Sequence, residues 1–225
     1  MRRVLLSISL IAATLLAPGF AHAANRIPQT TAMTAQHVII GCLSANAVLR
    51  TCRVRATHTR SYEQDGVITP VYSETYEYRL LRRADGADRI VWAGADVDAG
   101  ALPSHAMMSI DIDGLLKSSE DYAVDLVDVR SSAEGTYYVV QMRHAQARLT
   151  DGRRPVIELS VAADNGMVYE YRLSAMATDE TVATATFAYD EIGGAWLPTR
   201  VVTRLPATGD VFVNVLDYAD VETNQ

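Results

Sequence analysis

The sequence predicts a mostly β, α+β fold: a curved antiparallel sheet with two or so helices covering the concave face. Three observations predict it. From residue 53 onward apolar and polar residues alternate with a period of two, the spacing of a half-buried strand. Short turn signals separate the runs: Asp65-Gly66, Asp85-Gly86, Asp151-Gly152, Asn165-Gly166 and Gly193-Gly194. Such turns join neighbouring antiparallel strands. The strand–helix–strand alternation of a parallel sheet is missing.

The chain opens on a targeting segment. Arg2 and Arg3 form a positive start, and residues 4–16 are an apolar stretch too short to span a bilayer. Pro18 and Gly19 break it, and Ala21-His22-Ala23 is a small-residue cleavage site. Residues 1–23 therefore read as a signal peptide cleaved after Ala23, and residues 24–225 as a single exported domain. Residues 24–33 are polar and unpatterned. Thr34 is an N-cap for a first helix, in which Val38, Ile39, Cys42 and Leu43 recur at helical spacing.

Strands follow at 53–57 and 71–81. In the second, Tyr72, Glu74, Tyr76 and Tyr78 share one parity, while Glu77, Arg79 and Leu81 take the other. Residues 89–92 form a short strand and 94–103 a loop. A second helix starts near Ser104, with Met107, Met108, Ile112, Leu115 and Leu116 as its apolar stripe. Gly114 weakens it by about 1 kcal/mol relative to alanine, and Ser118-Ser119 ends it.

The remainder is a meander. Strands are expected at 122–129, 136–143, 156–162, 167–174, 181–189, 196–205 and 211–218, with a turn at 133–135. That makes about nine or ten strands. Trp196 opens one of them, and Pro198 marks it as an edge strand or a strand start, because proline lacks a ladder N–H. Trp196 there can bury a large apolar face while its N–H stays near water.

The formal charge is −7, and removing Arg2 and Arg3 takes it to −9. An acidic chain does not suit nucleic acid, whose phosphates need clustered Lys and Arg. No later stretch is long and apolar enough to cross a bilayer, so membrane contact is peripheral at most. Cys42 and Cys52 both lie in the exported part, where a disulfide can form. On one straight helix they would stand about 15 Å apart, beyond the roughly 7 Å that a bridge allows. The bond therefore requires a chain reversal near 44–46, and the alternative is two buried thiols.

No catalytic set emerges. His37, His58, His105 and His144 lack metal-ligand spacing. There is no nucleophile elbow, phosphate loop or dinucleotide fingerprint. Asp111 and Asp113 stand two apart and do not share a helix face. The expectation is a non-enzymatic protein with no metal and no cofactor. Tyr72, Tyr76 and Tyr78 can stack a carbohydrate or, more simply, pack across strands.

The segments "LLKSSEDYAVDLV" (115–127), "VIELSVAADNGMVYEYRL" (156–173) and "ATFAYDEIGGAWLPTRVVTRL" (185–205), together with the order of elements, resemble the LolA/LolB-like family of periplasmic lipoprotein and lipid carriers. The likeness extends loosely over residues 45–220. It implies a periplasmic location, an unclosed β-barrel whose end Trp196 can close as an apolar plug or as a ligand contact, a helical lid over an apolar cavity, and a lipid or acyl chain as cargo. Val38, Ile39, Leu43, Met107, Met108, Ile112, Leu115, Leu116 and Trp196 would then form the cavity and lid, with methionines able to repack around a guest. An arginine helps hold the lid in the carriers, and Arg82 and Arg83 fall in the corresponding segment here, "YRLLRRADGADRIVW". The carriers have further aromatic-rich strands before the second helix, where this chain has only 94–103. That departure bears on lipoprotein transfer itself more than on an apolar ligand. The second expectation is an envelope sensor that uses the same fold to bind a protein partner.

Overall fold

The computed structural model describes residues 35–45, 49–82, 88–92, 95–96, 115–116, 118–133 and 135–223. Helix α1 spans Ala35–Ala45. The strands are β1 Leu49–Gln64, β2 Val67–Arg82, β3 Asp88–Trp92, β4 Ala95–Asp96, β5 Tyr122–Ser132 and β6 Gly135–His144. They continue as β7 Pro155–Ala162, β8 Val168–Ala175, β9 Thr181–Ile192, β10 Ala195–Leu205 and β11 Asp210–Thr223. The signal segment, Thr34, Asp85-Gly86 and Glu134 lie outside the described residues, as does most of the second helix.

All the strands join one 11-stranded sheet in the order β4-β3-β2-β1-β11-β10-β9-β8-β7-β6-β5. Every pairing is antiparallel. The two ends of the order, β4 and β5, are not paired with each other, so the sheet is unclosed as expected. The count exceeds the expected nine or ten because Ala95–Asp96 forms a short rung on β3 inside the stretch read as a loop. One α-helix is described in full rather than two; only Leu115 and Leu116 represent the second helical stretch.

The β1–β2 hairpin is longer than its hydrophobic pattern implies, with 16 residues in each strand. β1 is paired on both sides, to β2 and to β11. Its polar second half, His58 to Gln64, is thus carried by ladder hydrogen bonds rather than by an apolar face. The turn between them is legible in the sequence: Asp65 (φ 53) and Gly66 (φ 77) both take the positive φ of a two-residue hairpin turn. Gly193 (φ 62) and Gly194 (φ 82) do the same between β9 and β10, which carries β9 on to Ile192.

Asn165-Gly166 behaves differently. Only Gly166 has positive φ (71), and its N–H donates to the Ala162 carbonyl at 3.0 Å. The Asn165 side chain instead accepts from the Met167 N–H at 2.9 Å, making a wider turn than the two-residue one expected.

Pro198 is not on an edge of the sheet, since β10 lies between β9 and β11. It is tolerated for two local reasons. The β10–β11 ladder starts only at Arg200, so pairing at Pro198 is one-sided. The β9 register also shifts between Pro198 and Arg200, a bulge that relieves the missing N–H. The Tyr218 hydroxyl donates to the Pro198 carbonyl at 2.8 Å.

Cys42 and Cys52 are both buried. They enter different packing groups: Cys42 joins α1 and the β6–β9 core, while Cys52 packs with Leu49, Val54, Tyr78, Ala195 and Leu197. Burial pushes the Cys42 thiol up to about 12, which keeps it protonated and unreactive.

Candidate functional site: the inner face of the open sheet

Directly paired residues of an antiparallel ladder share a face, so the register defines the inner surface. On β1 it carries Val54, Ala56, His58 and Arg60; opposite them on β2 stand Tyr78, Tyr76, Glu74 and Tyr72. On β11 the same rows continue as Tyr218, Leu216, Asn214 and Phe212. Val201 and Thr203 of β10 follow, paired with Asn214 and Phe212. The face then passes through Phe187 and Ala185 of β9, Tyr171 of β8, Leu159 of β7, Val140 of β6 and Leu126 of β5.

This face has two chemically distinct halves. Over β5–β9 it is apolar. α1 lies against β5 and β6, and its Val38, Ile39 and Cys42 are buried with Val140, Leu159 and Leu173. Leu116 is buried in the same group, at 1% exposure, and Leu115 packs at its margin. Four of the expected lid residues, Val38, Ile39, Leu115 and Leu116, are therefore brought together. Leu43 lies on α1 beside them in sequence. Met107, Met108 and Ile112 fall outside the described residues. Arg82 ends β2, in register with Asp88, and Arg83 lies outside the described residues.

Trp196 does not join this group. It is half-buried against Met167, Tyr169 and Tyr189, a separate small cluster. An aromatic chain connects that cluster to the core. Tyr137 meets Tyr169 edge-on at 5.9 Å, Tyr169 meets Tyr189 at 5.3 Å, and Tyr189 stacks on Phe187 at 6.3 Å. The Tyr189 hydroxyl is fixed by the Val168 carbonyl at 2.9 Å.

Over β2, β1 and β11 the face carries a polar layer. Glu74, His58 and Asn214 form one row across the three strands. His58 is buried, and its Nδ1 lies 2.6 Å from Asn214 Oδ1. Its ring stacks on Phe212 at 5.9 Å. The Tyr72 hydroxyl donates to the Glu74 carboxylate. Burial, and then the hydrogen bond and charge of Glu74, push the Tyr76 phenol above its ordinary range, so it stays a donor.

Arg60 is drawn away from this row. Its guanidinium sits over the Phe212 ring at 5.8 Å and reaches Asp210 at 2.8 Å. Burial pushes the Asp210 carboxyl up, but hydrogen bonds from Thr208 and Arg60 together with the Arg60 charge outweigh it and hold the carboxyl low. Thr203 is fully buried, and its hydroxyl has no hydrogen-bond partner among the described residues.

The sequence revealed the shared parity of Tyr72, Glu74 and Tyr76. It did not reveal His58 with Asn214, which stand 156 positions apart and meet only through the β1–β11 register. His144, the last residue of β6, also shapes the chain beyond it, since its Nδ1 accepts from the Gln146 and Ala147 N–H groups at 3.0 and 2.9 Å. Among the described residues, no three His, Cys, Asp or Glu side chains converge as a metal site.

The architecture is thus that of an open antiparallel sheet whose inner face is partly capped by a helix. No protein-family model matches the chain, and no curated protein matches it. Solved structures do. A LolA superfamily protein from Nitrosomonas europaea is 17% identical, covers 86% of this chain and 95% of its own, and superposes with a TM-score of 0.51. A DUF1329 family protein from Desulfovibrio piger is 12% identical, covers 84% and 92%, and has a TM-score of 0.52. An outer membrane lipoprotein-sorting protein domain from Vibrio parahaemolyticus is 12% identical, with coverage of 78% and 86% and a TM-score of 0.45. The fold is LolA-like.

Proposed function

We propose that the protein is a non-enzymatic, periplasmic binder or carrier of lipid or acyl chains, held against the inner face of the sheet. The observation that carries this reading is one of scale. The nine long strands, β1, β2 and β5–β11, span about 38 Å at 4.8 Å per strand. Helix α1, with its 11 residues, is only about 16 Å long. It packs against β5 and β6, and its Val38, Ile39 and Cys42 are buried in one group with residues of β6–β10. An apolar surface of that breadth, carrying Val140, Leu159, Phe187 and Val201, suits a long, flexible guest.

The energetics are adequate. Ten methylenes taken out of water contribute about 8 kcal/mol before ordering costs, at about 0.8 kcal/mol each. Micromolar affinity then needs little polar help. The signal segment and the fold both support an envelope location.

The test is native mass spectrometry and organic extraction of the purified mature chain, followed by titration of the stripped protein with a fluorescent fatty acid. The expected result is co-purified acyl chain, or micromolar uptake of the probe. Stripped protein that takes up no acyl chain, while retaining a stoichiometric protein partner from an envelope extract, would replace this reading with the partner-binding one.

A further inference from the structure

We propose that Asn165-Gly166 is a spontaneous modification site gated by the fold: the closed β7–β8 turn protects Asn165 from deamidation, and opening of that turn releases it. This goes beyond the acyl-chain reading and does not depend on it, since no ligand is involved.

The chemistry starts in the sequence. In deamidation the backbone nitrogen of the following residue attacks the asparagine side-chain carbonyl carbon. A bond forms between that nitrogen and Cγ, the nitrogen gives up its proton, and the Cγ–Nδ2 bond breaks to release ammonia. Water then opens the cyclic imide at either carbonyl, leaving aspartate or isoaspartate. No oxidant or reductant enters. A side chain on the following residue hinders the attack, and glycine has none. Of the five asparagines, only Asn165 precedes a glycine, whereas Asn214 precedes the β-branched Val215.

The turn holds each reacting group. Gly166 is buried, and its N–H donates to the Ala162 carbonyl at 3.0 Å, an acceptor too weakly basic to take the proton. The side-chain amide of Asn165 is held at both ends. Its Oδ1 accepts from the Met167 N–H at 2.9 Å, and its Nδ2 donates to the Tyr169 hydroxyl at 3.1 Å. Bringing Cγ onto the Gly166 nitrogen and expelling Nδ2 would break both bonds. The Ala162 N–H also donates to the Met167 carbonyl at 2.9 Å, which closes the turn on itself.

Tertiary packing backs this clamp. The Tyr169 ring meets Tyr137 edge-on at 5.9 Å and Tyr189 at 5.3 Å. Met167 is buried among Tyr169, Tyr189 and Trp196. Reaction at Asn165 therefore requires local opening of the hairpin end together with its aromatic cluster, and such opening can cost less than global unfolding.

The experiment incubates the mature chain at mildly alkaline pH, folded and in denaturing guanidinium chloride, and follows aspartate plus isoaspartate at position 165 by peptide mapping. The unfolded chain is expected to react at least about tenfold faster, which corresponds to only about 1.4 kcal/mol of opening free energy. Tyr169→Phe removes the hydroxyl that holds Nδ2 and keeps the ring. It is expected to speed the folded chain about two- to tenfold, the worth of one neutral hydrogen bond, and to leave the unfolded rate unchanged. Asn214 serves as the internal reference and is expected to stay intact in both states.

Equal rates in folded and unfolded wild-type chains overturn the gating, and this comparison decides it whether or not the variant folds. A folded Tyr169→Phe protein that reacts no faster than wild type overturns the clamp. An unfolded wild-type chain that gains neither product at position 165, or gains no more there than at Asn214, overturns the site itself.

Discussion

Gly209 lies so close to Tyr62 that a Cβ on it would stand 2.8 Å from the Tyr62 ring and 2.9 Å from the Glu63 carbonyl oxygen. The β10–β11 turn is thereby seated on the end of β1, and the Glu63 N–H donates to the Gly209 carbonyl at 2.7 Å. Gly209 also has φ +72, where a side chain is strained whatever the space. Gly209→Ala is expected to cost about 2–3 kcal/mol of stability, read as a lowered urea midpoint. Gly194→Ala, also at positive φ (82) but in open space, provides the contrast and should cost about 1 kcal/mol.

The cover over the apolar half gives a second expectation. Leu116 is 1% exposed and packs with Val38 and Ile39. Leu116→Ala should remove about 2–4 kcal/mol, and if that half opens to admit a guest, it should also increase binding of a hydrophobic dye in the native state. Ile40, on the outer side of α1 at 53% exposure, should tolerate serine with a change within about 0.5 kcal/mol.

Alkaline pH should unfold the protein early. Burial raises the phenols of Tyr78, Tyr171, Tyr189 and Tyr218 above the usual 10.0, and the Cys42 thiol from 9.0 to about 12. Each group holds its proton more tightly folded than unfolded. Their contribution is therefore complete below pH 9 and declines as pH rises through 9 to 12, where the unfolded chain ionises first. Thermal midpoints from pH 8 to 11 should fall steadily above pH 9. In the same series, a thiol reagent at pH 8 should label Cys42 only after denaturation, and a reductant should leave the midpoint unchanged.

His144 tests a smaller element. Its Nδ1 holds two successive N–H groups at the start of the link between β6 and β7. His144→Ala should cost about 1–2 kcal/mol, and His144→Asn, which restores an acceptor, should recover part of it. Urea unfolding of the three proteins side by side measures both.

Turn chemistry and strand parity were readable from the residues. Asp65-Gly66 and Gly193-Gly194 adopt the positive φ pair their sequence calls for, and the β6–β9 strands lie within a few residues of the alternating runs that foretold them. Other features were open until the fold decided them. Pro198 pointed to an edge or to a strand's first residues, and it stands fourth in an interior strand, where a bulge and a ladder that begins two residues later accommodate it. The cysteine spacing left a bond and two buried thiols both open, and the side chains are buried in separate packing groups. The polar layer could not be foreseen, because Glu74, His58 and Asn214 belong to strands brought side by side by the pairing of the first long strand with the last. Single-strand periodicity carries no information about such partners.

Among the described strands, β4 and β5 end the sheet without hydrogen bonds to one another. A sealed barrel fixes its girth, because widening it means breaking a seam. Here the rims can separate or approach by small changes of twist spread over ten ladders, each of which stays intact. A container built this way could admit molecules of differing thickness without melting any part of its wall.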